Sequence, residues 1–120
     1  MFIKSSNDCP EFIANDGCHI RELLHPKNDA VELPYSIALA RVDVGKHTYK
    51  HRLTQQEIYI ILDGEGLMHI DEQISTVKSG DIIVVPAKTV QWIENSSSAE
   101  LIFYALVNPP WSEAGDQRLD

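Results

Sequence analysis

The sequence predicts an all-β protein of a single domain. Runs of apolar, β-branched and aromatic residues recur at short intervals, clusters of turn-forming residues separate them, and no stretch carries the periodicity of an amphipathic helix. The chain has 120 residues, of which 43% are hydrophobic. That suffices for one core and is too apolar for a disordered chain. Short strands at regular spacing indicate a sandwich or a barrel.

Taken in order, residues 1–17 are polar and broken by Pro10 and Asp16-Gly17. They read as an arm with one short edge strand near Phe12. Residues 18–25, CHIRELLH, suit a strand or a turn of helix, and Gly17 before and Pro26 after favour the strand. Lys27-Asn28-Asp29 is a turn. Residues 35–44, YSIALARVDV, are apolar on both parities, as in a strand buried on both faces. Residues 57–63, EIYIILD, form the strongest strand, ended by Asp63-Gly64. Two strands follow at 66–70 and 74–78, paired across Asp71-Glu72-Gln73. Ile82–Val85 reads as a buried strand stopped by Pro86, and 90–94 resumes the extended pattern. Residues 100–107, ELIFYALV, are the last core strand, and Asn108-Pro109-Pro110 stops it. The tail is polar except for Trp111, which is expected to cover a seam or a subunit contact.

Charge narrows the function classes. The formal net charge is −8, from 18 acidic and 10 basic side chains. Such a chain repels phosphate backbones and anionic lipid, so neither nucleic acid nor membrane is expected as a partner. No apolar run has the length of a transmembrane helix. The N-terminus MFIKSSNDCPEF lacks a signal-peptide core, so a cytoplasmic location is the expectation. Cys9 and Cys18 match no zinc-binding spacing and are expected to be reduced thiols.

The stretch GKHTYKHRLTQQEIYIILDG organises the rest. Gly45, His51, Leu53, Glu57 and Gly64 fall at the spacing G-x5-H-x-H-x3-E-x6-G, and Gly80, Pro86, Lys88, Gln91 and Asn95 fall at G-x5-P-x-G-x2-H-x3-N. With 15 residues between Gly64 and Gly80, the chain resembles the small single-domain members of the cupin superfamily. The resemblance implies a jelly-roll β-barrel of six to eight strands with a central pocket, commonly in a homodimer. It divides the chain into an arm with first strands at 1–34, a barrel core at 35–108 and a tail at 109–120. It also implies a divalent metal held by three histidines and a glutamate. Here two of those four positions depart from the pattern, at Leu53 and Gln91, and Lys88 stands at a motif glycine.

His51, Glu57 and Gln91 are therefore the candidate metal ligands. Imidazole, carboxylate and amide oxygen suit a divalent ion, and three ligands leave positions open for substrate. The rival reading is a hydrogen-bonded polar cluster in an apolar barrel. His47, Tyr49, Leu53, Tyr59, Met68 and Ile93 are the candidate pocket-lining residues; because four residues along a strand span about 13 Å, His47 would sit at the mouth or stand solvated at the strand end. His19, His25 and His69 are expected at the surface or an interface, and Trp92 outside. Strand 57–63 is apolar on both faces, so one face should meet a second layer or a second subunit, and a homodimer is the expectation. Two functions follow: a metal-dependent isomerase, lyase or oxygenase acting on a small oxygen-rich substrate such as a sugar acid or keto acid, or a non-catalytic module that binds a small ligand without metal.

Overall fold

Alternating burial folds the chain into two antiparallel sheets that face each other as a jelly roll. The computed structural model describes residues 1–120. It contains β1 (Glu11–Ile13), β2 (His19–Leu24), β3 (Ser36–Val42), β4 (His51–Leu53), β5 (Gln56–Asp63), β6 (Glu65–Ile70), β7 (Gln73–Lys78), β8 (Ile82–Val85), β9 (Val90–Glu94), β10 (Leu101–Asn108) and β11 (Asp116–Arg118), with one 3-10 turn at Ser6–Asp8. One sheet has the order β1-β2-β3-β10-β5-β8, the other β11-β4-β9-β6-β7. The eight strands β3 to β10 match the expected barrel, while β1, β2 and β11 extend both sheets from outside residues 35–108. No helix is long and apolar enough to cross a membrane.

β10 is the spine of the larger sheet, with seven residue pairs to β3 and seven to β5. Its inward residues Leu101, Phe103 and Val107 are buried, as are Val42 of β3 and Ile61 of β5. Val85, Met68 and Ile93 close the core from β8, β6 and β9. The strand at 18–25 is realised as β2.

Two expectations change. β8 is an edge strand rather than a buried one: Ile82 and Val84 are 67% and 53% exposed, because only Val85 and the opposite parity face the core. His25 is buried, its Nε2 2.7 Å from the Trp111 carbonyl oxygen. The tail is tied into the fold. Asp116–Arg118 pairs with His51–Leu53, and Trp111 N–H donates to Ser36 Oγ at 2.9 Å.

The motif residues outside the pocket have structural work. Asn95 is buried and donates through Nδ2 to the carbonyls of Val42 and Ala99 while its Oδ1 accepts from Ser97, which fixes the loop before β10. Gly64 has φ +86°, and a Cβ there would collide with the Glu100 carbonyl. Lys88, at the position of a motif glycine, has φ +66°, a conformation that costs a side-chain-bearing residue energy. Gly64→Ala should therefore lower stability by about 2–3 kcal/mol. Lys88→Gly should be neutral or stabilising by up to about 1 kcal/mol, since the relieved strain outweighs the added chain entropy. Urea unfolding midpoints of the two variants check both signs.

Candidate functional site

The site begins with small side chains. Along β3, Ser36, Ala38 and Ala40 share the inward parity, and across the ladder Ala38 pairs with Ala105 of β10. Two facing alanines leave a hollow where larger residues would meet. The result is a cavity of about 270 Å³ walled mostly by apolar residues of β2, β3, β5 and β10, with Thr48, Tyr49, Trp111 and Asp116 closing one side. Phe12 also bounds it and is 53% exposed, which marks the mouth.

His51, Glu57, Tyr49 and Tyr59 bound this cavity. Leu53, Met68 and Ile93 are buried, yet none bounds it. The cavity lies toward β2 and β3, whereas Met68 and Ile93 on β6 and β9 fill the opposite side of the barrel. His47 is exposed, with its ring edge-on to Trp92 at 5.4 Å. The reason is register. His51 faces Gln91, but His47 bridges Glu94, so four residues on one strand span three on the other. That extra residue reverses the side-chain parity between the two histidines. Outside the barrel His69 stacks on Trp92 at 3.7 Å and lies 2.8 Å from a Glu94 oxygen.

The polar groups form two separate units. In the first, His51 Nδ1 meets Asp116 Oδ1 at 3.0 Å, and Trp111 Nε1 donates to the other Asp116 oxygen at 3.0 Å. Asp116 thus fixes the imidazole and leaves Nε2 without a protein partner. Burial pulls the His51 pKa down, but the hydrogen bond to Asp116 and the charges of Glu57 and Asp116 outweigh it, and the net shift is upward. Burial pushes the Asp116 carboxyl up, but His51 and Trp111 outweigh that, so it lies below its ordinary range. Neither Asp116 nor Trp111 was singled out for the site by residue type or spacing. The only signal was a tryptophan and a carboxylate in an otherwise featureless tail.

In the second unit, the Tyr59 hydroxyl donates to Gln91 Oε1 at 2.6 Å. Gln91 is 1% exposed and sits behind the cavity wall. Glu57 is 6% exposed, and its Oε1 has no hydrogen-bond partner. Burial pushes its pKa up to about 7, against the opposing pull of His51 and the Gln91 amide. Burial also raises the Tyr59 phenol well above its usual range. The cavity thus presents two groups able to exchange a proton with a bound molecule, Glu57 and His51.

A divalent ion fits this donor set poorly. The Gln91 carbonyl oxygen is already taken by Tyr59, and Leu53 has no donor atom. No three His, Cys, Asp or Glu side chains gather so as to hold a metal ion.

Comparison with known proteins bears on the fold. Residues 38–107 match the family described as the cupin domain. An uncharacterised protein of Methanocaldococcus jannaschii is 42% identical over 110 residues, covering 91% of this chain and 87% of that protein. The crystal structure of a predicted oxalate decarboxylase from Thermotoga maritima superposes with TM-score 0.80 at 21% identity, over 90% of this chain and 99% of that one. The polyketide cyclase RemF of Streptomyces resistomycificus reaches TM-score 0.83 at 12% identity, over 100% of this chain and 86% of that one. At such identities the two structures speak for the fold alone.

The buried glutamate makes a pH-dependent prediction. A carboxyl whose folded pKa is about 7 instead of 4.5 contributes stability that is fully present below pH 4.5 and lost as pH rises through 7. Glu57→Gln mimics the protonated form. It should match the wild type near pH 4.5 and exceed it at about pH 8 by up to roughly 3 kcal/mol. Denaturation midpoints measured at both pH values check this.

Proposed function

The chain belongs to the cupin domain family, and on that premise we propose that it is a small-molecule-binding barrel that works without a resident metal ion. The observation that carries this is the bond from Tyr59 to Gln91 Oε1, which ties up the third candidate ligand behind an apolar cavity. A neutral amide already accepting a short hydrogen bond gains little by turning to an ion.

The wall also argues against acidic ligands. Its charged side chains are Asp16, Glu22, Glu57 and Asp116 with the imidazole of His51, and no lysine or arginine. Oxalate, a sugar acid or a keto acid would enter with negative charge and find four carboxylates against the one imidazole of His51, which Asp116 already holds. This favours the non-catalytic binding module over a metal enzyme acting on such acids.

Calorimetric titration with zinc, manganese and nickel should show no stoichiometric uptake by the wild type, and an ion bound one to one would overturn the proposal. Gln91→Leu, which leaves the Tyr59 hydroxyl unpaired in the core, should cost about 1–3 kcal/mol. Ala38→Leu should fill the hollow and block ligand binding while the barrel still melts cooperatively.

The assembly proposed is a homodimer. Ile58 pairs with Val84 and Ile60 with Ile82 on the outer face, next to Leu62, which is 39% exposed. Light scattering at micromolar concentration should return twice the chain mass of 13.5 kDa.

A further inference from the structure

We infer that the cavity is built for a small hydrophobic organic ammonium ion: a compact apolar body carrying one protonated amine. This rests on the metal-independent pocket proposed above. The first observation is which carboxylates are already engaged. Asp16 accepts the backbone N–H groups of Cys18 and Tyr49, Glu22 accepts from the Asn28 side chain, and Asp116 holds His51 and Trp111. Glu57 alone among the four keeps a buried oxygen with no partner. A protonated amine supplies both the N–H donor and the positive charge that a desolvated carboxylate lacks. An alcohol supplies only the donor, and a carboxylate supplies neither.

Aromatic rings add to the aliphatic wall. Phe12, Tyr49, Tyr59, Phe103 and Trp111 all bound the cavity. Ring faces attract cations, most strongly where water is excluded. The protein already uses one of them this way, since the Arg118 guanidinium lies 3.4 Å from the centroid of Tyr49. Tyr49 also has a buried hydroxyl without a partner, which a polar substituent on the ligand would satisfy.

Size sets the limit. At ~30 Å³ per non-hydrogen atom, the share of a liquid water molecule, a cavity of about 270 Å³ holds about nine such atoms. A phenyl ring with a two-carbon ammonium arm has that size, and the exposed Phe12 at the mouth gives it an apolar entry.

The test is calorimetric titration, at about pH 8 and low salt, with 2-phenylethylamine, the neutral 2-phenylethanol and the anionic 3-phenylpropionate. The wild type should bind the amine about tenfold or more tightly than the alcohol, with the carboxylate weakest. Glu57→Gln should bring the amine-to-alcohol ratio close to one. A carboxylate that binds as well as the amine, an amine preference that survives Glu57→Gln, or no binding of the amine at millimolar concentration overturns the inference. Preference for the alcohol also overturns it but leaves the metal-independent pocket standing. Stoichiometric metal uptake removes that pocket reading instead.

Discussion

The site depends on the register of one ladder. Ala38 opposite Ala105, with Ser36 opposite Val107 and Ala40 opposite Phe103, places the smallest inward side chains of β3 and β10 together in the middle of the sheet. A slip of β10 by one residue would turn Tyr104 and Leu106 inward in place of Ala105 and close the space. Long pairing on both sides of β10 holds that register. The hollow is therefore supported by the strongest part of the fold rather than by loops. Glu57 and Tyr59 reach it because β5 lies on the other side of β10, with Glu57 paired to Val107 and Tyr59 to Ala105.

Most of the fold was legible because strand length, turn residues and motif spacing agreed with one another. The site was legible where strands run regularly. Alternation along β5 put Glu57 and Tyr59 on one face without further information. It failed between His47 and His51, where the inserted residue reverses the parity and sends His47 to Trp92. Such an irregularity lies in the pairing of two strands, and neither strand carries a glycine or proline inside residues 47–51 to announce it. The cavity itself was present in the sequence as the small residues Ser36, Ala38 and Ala40. They were read as one apolar run because hydrophobicity and size are separate signals.

The tail shows a different limit. Trp111 and Asp116 lie far from His51 in sequence, and no local pattern ties them to it. Their place is set by long-range bonds: Trp111 N–H to Ser36, His25 to the Trp111 carbonyl, Gln55 to Pro110 and Ser112, and β11 to β4. β4 has only three residues and pairs with β9 at two of them. The tail thus supplies β4 with its second neighbour as well as giving His51 its partner. Support of the strand and orientation of the imidazole are one event.

Gln91 and Glu57 are satisfied to different degrees by the same frame. A buried amide satisfied by Tyr59 is a stable, closed arrangement in which further demand on the carbonyl oxygen would strand the phenol. Glu57, by contrast, is left open on one oxygen inside a wall of low polarity. In the protein interior an unsatisfied atom is costly and therefore rare, and here the cost falls on a group that faces a cavity rather than packed side chains. A partner arriving from solvent can cancel that cost, whereas one buried behind the wall cannot. The polar atoms that the barrel satisfies internally, on Gln91, Tyr59 and Asp116, serve to hold the site's shape. The one Glu57 oxygen it leaves unsatisfied is where the donor of the proposed ligand would sit.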